Sequence, residues 1–107
     1  MSPTSSLFGR RLREARIRAG VAQDRLGVMI GMDEGSSSAR MSRYETGTHE
    51  PPFTLSEKIA AALNVPVAYL YCDDDQMAAF LIDYASLEKG AKEKVRELAA
   101  ALTATRA

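Results

Sequence analysis

The chain has 107 residues, 46% of them hydrophobic, which suits one small folded domain and leaves little room for a second. No run approaches the roughly 18 apolar residues of a membrane span, and Met1–Ser6 has no basic cluster followed by an apolar stretch. The single Cys72 cannot form an internal disulfide, in agreement with a reducing compartment. We therefore expect a cytoplasmic protein with no membrane partner.

The net charge is zero, but the charges are unevenly distributed. Residues 1–50 carry eight arginines and six acidic residues, a balance of +2, whereas residues 51–107 have six basic and eight acidic residues, a balance of −2. Five arginines fall between Arg10 and Arg18, with Glu14 as the only acid among them. Such segregation can create a local basic surface for nucleic acid on a neutral protein.

The first predicted helix spans Leu7–Ala19. Gly20 follows it and suits a helix end, because glycine readily adopts the left-handed conformation found there. The apolar residues of the helix recur at spacings of 4, 3 and 4 and share one face: Phe8, Leu12, Ala15 and Ala19.

The second predicted helix begins at Ala22 or Gln23 and runs to Ile30, with Gly31 as its stop. Gly27 lies inside this helix, where glycine costs about 1 kcal/mol relative to alanine. Close approach by another helix would explain a glycine at this position.

The third predicted helix ends at Thr46, with Gly47 as its stop. Its start is open: Asp33 would cap a long version and Ser37 a shorter one. Only Met41 and Tyr44 look like core anchors. The residues around them are small or polar, as expected for a helix that presents one face to a groove. An α-helix fits the major groove of DNA, where arginine can bond guanine through two hydrogen bonds.

Two shorter elements follow an extended connector, His49–Pro52, in which His49 is expected to be an ordinary loop residue. Thr54–Glu57 reads as a capping box for a fourth helix that ends at Asn64. Pro66 suits the first turn of a short fifth helix. The inner face of the fourth helix is predicted to consist of Leu55, Ile59, Ala62 and Leu63.

Two amphipathic helices, the sixth and seventh, complete the chain. Asp73–Asp75 can cap the first of these two helices. We prefer this interpretation to a metal site that includes Cys72, because a thiolate and carboxylates suit different metals and no second cysteine completes a set of metal ligands. We interpret the apolar stripes of these two helices as a dimer interface. The alternative is that the two helices fold back onto the first domain of the same chain. The interface residues are Phe80, Leu81, Tyr84, Val95, Leu98 and Leu102.

The chain resembles the Cro/repressor-like helix-turn-helix proteins of the XRE family over about residues 7–71. No single position is diagnostic, but the ordered set has near-family spacing. The matching residues are Leu12, Arg16, Gly20, Gln23, Leu26, Gly31, Ser42, Arg43, Tyr44, Glu45, Gly47, Pro51, Leu55, Ala60, Leu63 and Val65.

The resemblance implies roles for individual residues. Gln23 and Thr46 would lie at phosphates, and Arg16 would pair with Glu45 to hold the first helix to the third. Base edges or the adjoining backbone would be contacted by Ser38, Ala39, Ser42 and Arg43. Ser37 and Arg40 join these candidates for DNA binding, although Ser37 and Ser38 could equally belong to a polar loop and Arg40 to a solvated surface.

One departure from the family pattern falls between the second and third helices. About four extra residues, within Asp33–Ser37, could either lengthen the third helix or form a loop. The expected fold is all-α: a five-helix repressor-like helix-turn-helix domain at 1–72, and a C-terminal helical extension at 73–107 as the dimerisation element.

We therefore expect a transcriptional regulator, in the first place a repressor, that binds double-stranded DNA as a homodimer and is nucleoid-associated when bound. No phosphate loop and no nucleophile–base pair is recognisable, so we predict no enzyme, no cofactor and no metal. The alternative is an antitoxin or protein-interaction module whose main partner is another protein, such as a toxin. The neutral net charge and the altered turn favour this alternative, whereas Gln23 and Arg43 favour DNA.

Overall fold

The computed structural model describes residues 6–105, which form helices and no strand. The all-α prediction is confirmed. Residues 1–5, most of the segment considered for a secretory signal, lie outside the described part. Within residues 6–105 no helix combines the length and the apolar character needed to cross a membrane. The elements are α1 (Leu7–Ala19), α2 (Gln23–Met29), α3 (Glu34–Thr46), α4 (Phe53–Leu63), a 3₁₀ helix (Val67–Tyr71), α5 (Asp75–Ser86) and α6 (Lys89–Ala104).

Helix ends follow local sequence signals in most places. Gly20 and Gly47 adopt left-handed φ angles of 72° and 84° and end α1 and α3, as predicted. The capping box at Thr54–Glu57 is wrong: α4 begins at Phe53, and no side chain caps it. Pro52 in extended conformation precedes the helix instead, so Thr54 already lies inside the first turn.

One core joins the first four helices and the 3₁₀ helix. α1, α3 and α4 each contribute residues at helical spacing, so that one face of each is removed from water. Met32, in the turn before α3, is also buried. The fully buried large apolar side chains are Leu12, Leu26, Met41, Ile59, Leu63 and Leu70.

Gly27 lies where α2 approaches α3, as the sequence predicted. A Cβ atom at this position would lie 1.8 Å from the hydroxyl oxygen of Ser37 and 2.8 Å from its Cβ. Both distances are far shorter than van der Waals contact allows. The glycine therefore permits a helix separation that alanine would not.

We expect Gly27→Ala to destabilise the fold by about 1–3 kcal/mol, because the added methyl group must push α2 away from α3. Urea unfolding measures the loss. Gly90→Ala is the matched control, since its new Cβ would meet only the flexible end of Glu88, at 3.4 Å. Equal stability of the two variants would mean that α2 and α3 adjust at no cost.

Arg11 is buried, which the sequence analysis did not predict. The residue lies between Phe8 and Ala15 on the buried face of α1 and is only 3% exposed. Its Nε donates to the carbonyl oxygen of Cys72 at 2.8 Å, and its Nη2 donates to Oδ1 of Asp75, also at 2.8 Å. Its guanidinium also stands over the ring of Tyr69, 5.5 Å from the centroid. This arginine therefore fastens the start of α5 to α1.

Arg11 and the carboxylates around it stabilise one another in their charged forms. Burial disfavours its positive charge, but hydrogen bonds to Asp75 and Glu14 outweigh that effect and raise the pKa of the guanidinium. Hydrogen bonds from Arg11 and Arg10 lower the pKa of the Asp75 carboxyl. The ionised Asp75 carboxylate therefore stabilises this contact at pH values above the ordinary carboxyl pKa. The stabilisation is lost as the pH falls through the lowered pKa of Asp75.

The C-terminal helices make the molecule elongated. The radius of gyration is 16.1 Å, against about 13 Å expected for a compact domain of this length. α5 contributes Ala78 to the core, whereas α6 has no buried residue. Where the two helices meet, Arg96 donates to the hydroxyl of Tyr84 at 2.6 Å, and Lys92 lies over the same ring. The last turns of α6 are thus left open to solvent.

Candidate nucleic-acid interface

α2 and α3 form the most extensive helix pair in the structure. The turn between them passes through Gly31, whose φ of 101° is unfavourable for other residues, and through the buried Met32. Ser37 on α3 donates a hydrogen bond of 2.6 Å to the carbonyl oxygen of Asp24 on α2. These contacts fix α3 relative to α2.

α3 has an inner and an outer face. Met41, Tyr44 and Glu45 are buried against the domain, and Ser42 is half-buried. After the first turn, which carries the exposed Glu34, the side chains that face solvent are Ser38, Ala39, Arg40 and Arg43. All of them come from the predicted DNA-binding set, so the helix presents a small, polar and basic surface, the chemistry that suits a DNA groove.

The extra residues before Ser38 lengthen α3 rather than form a loop. The helix begins at Glu34, with Asp33 in the capping position, which is the longer of the two predicted versions. Asp33 makes no side-chain capping bond. Ser37 is consequently part of the helix and is fully buried. With its hydroxyl bound to Asp24, its side chain has no route to DNA, and the candidate surface excludes it.

Gln23 and Thr46 lie at the two ends of the candidate surface. The amide of Gln23 donates to Oε1 of Glu45 at 3.1 Å, and the side chain is only partly exposed. The hydroxyl of Thr46 donates to the carbonyl oxygen of Arg43 at 3.3 Å and lies 2.9 Å from the hydroxyl oxygen of Thr48. Both side chains are near the surface, but each is already engaged within the protein.

Arg16 and Glu45 pair, as the resemblance implied. Nε of Arg16 donates to Oε2 of Glu45, and Nη2 donates to Oε1 at 3.3 Å. A third hydrogen bond of the arginine, 2.9 Å long, goes to the carbonyl oxygen of Val21. The carboxylate is 5% exposed, so this network of α1, α3 and the start of α2 is largely shielded from water.

His49, expected from the sequence only as a loop residue, lies beside the basic side chains of α3. It lines a surface cleft of about 420 Å³ together with Arg40 and Arg43, and its backbone N–H donates to the carbonyl oxygen of Arg43 at 3.2 Å. Only its position soon after the end of α3 could have indicated this. His49 and the acidic Glu50 thus extend the polar surface beyond the helix.

The acidic stretch after Cys72 caps a helix. A side-chain oxygen of Asp74 accepts from the backbone N–H of Met77 at 2.9 Å, and Asp75 binds Arg10 and Arg11. The capping prediction is confirmed. Over residues 6–105 no three His, Cys, Asp or Glu side chains converge in a way that could hold a metal ion.

The six residues predicted for a dimer interface lie on α5 and α6. Phe80, Leu98 and Leu102 are 46%, 61% and 60% exposed. Leu81, Tyr84 and Val95 are half-buried. The folding-back alternative applies only to part of α5, since Ala78 and Ile82 reach the core while α6 stays outside it.

Two short helices joined by a tight turn, the second with a polar outer face, define a helix-turn-helix protein. The chain belongs to the family described as helix-turn-helix domain, whose model matches residues 7–70. No curated protein has a matching sequence.

A solved structure extends this likeness to most of the chain. The chain is similar to the transcriptional regulator BswR, with 43% sequence identity and a TM-score of 0.88. The match covers 92% of this chain and 98% of that one. It is too long to be confined to residues 7–70, so α5 and α6 are part of the shared architecture.

Proposed function

We propose that the chain is a DNA-binding transcriptional regulator, and specifically a repressor of the Cro/repressor-like XRE type that places α3 in the major groove. One observation carries this proposal: α3 packs against α2 while Ser38, Ala39, Arg40 and Arg43 face solvent. Similarity to a transcriptional regulator supports it. This architecture points to a binding protein rather than an enzyme.

The proposed contacts divide into two kinds. Arg43, Ser42 and Ala39 would read base edges or hold the adjoining backbone, while Arg40 and His49 would add positive charge or donors toward phosphates. Gln23 and Thr46 would reach phosphates only by exchanging the hydrogen bonds they make within the protein. Ser37 is left out because it is buried.

Selection of bound sequences from a random duplex pool tests this function. We expect one enriched sequence, with affinity that falls steeply as salt rises, since released counterions drive phosphate binding. Absence of enrichment together with salt-independent binding would contradict the proposal. A palindromic consensus would also support a two-fold dimer on DNA.

Arg43→Ala should weaken binding to the selected duplex by about 1–3 kcal/mol, the range for losing an arginine that bonds a guanine through two hydrogen bonds. Fluorescence anisotropy at fixed salt measures the change.

Arg18→Ala is the matched control for this substitution, because it removes the same charge from an exposed residue of α1 that lines a different surface cleft, together with Asp83 on α5. Equal affinities of the two variants would remove Arg43 from the interface.

We further propose that α5 and α6 join two copies of the chain. The argument is the apolar stripes of these two helices, in which Phe80, Leu98 and Leu102 are exposed, because monomers rarely leave large apolar patches in water. A two-fold dimer would set two recognition helices about 34 Å apart, one turn of DNA. If light scattering instead finds a monomer, the stripe serves a different protein, as the antitoxin alternative requires.

A further inference from the structure

Five of the seven glycines in the chain are required by the fold. Three adopt positive φ angles that other residues rarely accept: Gly20, Gly31 and Gly47. A Cβ on Gly9 would lie 2.3 Å from the carbonyl oxygen of Glu45, and one on Gly27 would lie 1.8 Å from Ser37. At these positions an alanine would either strain the backbone or force two helices apart.

Gly35 has no such explanation. It is the second residue of α3, it is exposed, and its φ is not in the left-handed region. Among the described residues no atom outside its immediate surroundings lies within 4 Å of the position that its Cβ would occupy. Alanine is the better helix former, so the isolated fold gains nothing from glycine here.

Gly35 also lies in the turn by which α3 exceeds the expected length. In helix-turn-helix proteins the N-terminal part of the second helix contacts the bases. Glycine is commonly used where backbone must approach a ligand more closely than a side chain allows. A residue with an empty Cβ position in the free protein is therefore suited to have that space filled by DNA.

We propose that Gly35 is a close-approach residue, at which the first turn of α3 contacts base edges in the major groove. This inference rests on the proposed DNA-binding function. The neighbouring carboxylates of Asp33 and Glu34 would repel phosphates, which favours base edges over the backbone. A carboxylate at this place can accept a hydrogen bond from the amino group of cytosine.

Gly35→Ala tests the proposal, because the melting temperature reports its effect on folding and the duplex affinity reports its effect on binding. Its melting temperature should equal or exceed that of the parent, because no atom obstructs the methyl group. Its affinity for the duplex selected by the parent should fall by about tenfold, within the range for disturbing one base-pair contact. Its affinity for a random-sequence duplex of equal length should stay unchanged.

Gly90→Ala is the matched control. Gly90 is the second residue of α6, as Gly35 is of α3, and it is likewise exposed. This variant should keep the parent affinity for both duplexes.

Two outcomes would overturn the inference while leaving the proposed function intact. Parent-like affinity of Gly35→Ala for the selected duplex would show that no close approach occurs. An equal loss on the selected and random duplexes would place the approach at phosphates rather than at base edges. If the parent itself enriches no sequence, the proposed function fails first.

Discussion

Glu45→Ala should lower the free energy of unfolding by about 3 kcal/mol, the lower end of the range for removing one partner of a buried ion pair. The substitution leaves the Arg16 guanidinium without its carboxylate in a place where only 13% of the side chain is exposed. The Gln23 amide also loses its acceptor. Urea unfolding of the two proteins at equal concentration measures this difference.

Glu57→Ala is the control for the loss of one carboxylate, since Glu57 is exposed on α4. Its stability should change by less than about 0.5 kcal/mol. Glu45→Ala molecules that remain folded should keep most of their affinity for DNA, because Glu45 points into the domain. An unchanged unfolding midpoint would mean that the pair with Arg16 contributes nothing.

The double variant Leu98→Glu, Leu102→Glu should be monomeric at concentrations where the parent is a dimer. Each leucine contributes about 1.5–3 kcal/mol when fully buried, and a two-fold interface contains each of them twice, so the dimer should weaken by at least about 100-fold. Sedimentation or light scattering measures the association. Binding to a palindromic duplex should weaken in parallel, since one copy would hold only a half-site.

Ala100→Glu, Ala104→Glu is the matched control, because it adds the same charges to the same turns but on the opposite side of α6. It should remain dimeric. Truncation before α5 would be a poorer test, because it removes Ala78, which is 1% exposed, from the core. If the leucine variant and the alanine variant associate equally, the α6 stripe is not the interface.

The sequence predicted helix ends correctly where a glycine marked them, whereas the equally local capping-box signal at Thr54–Glu57 was wrong. α1 was predicted at its observed bounds because the apolar period and Gly20 mark them directly. The end of α3 at Thr46 follows in the same way from Gly47. The close approach at Gly27 was also correctly inferred from a glycine in the interior of a helix.

Features that depend on distant partners were missed. Arg11 shares the buried face of α1 with Phe8 and Ala15, but only its acceptor Glu14 is local, whereas Cys72 and Asp75 lie more than sixty residues away. Ser37 looked like a polar surface residue because its acceptor, Asp24, is on another helix. Likewise, the sequence left the start of α3 open between Asp33 and Ser37, and the longer helix is the observed one.

The contact that Arg11 makes with Cys72 and Asp75 has a consequence for operator geometry. It ties the start of α5 to α1, while α6 beyond it contributes no buried residue to the core. In a dimer joined through α5 and α6, this joint would determine the distance and angle between the two copies of α3. The bases recognised in each half-site would then depend on α3, whereas the number of base pairs between half-sites would depend on Arg11, a residue of α1.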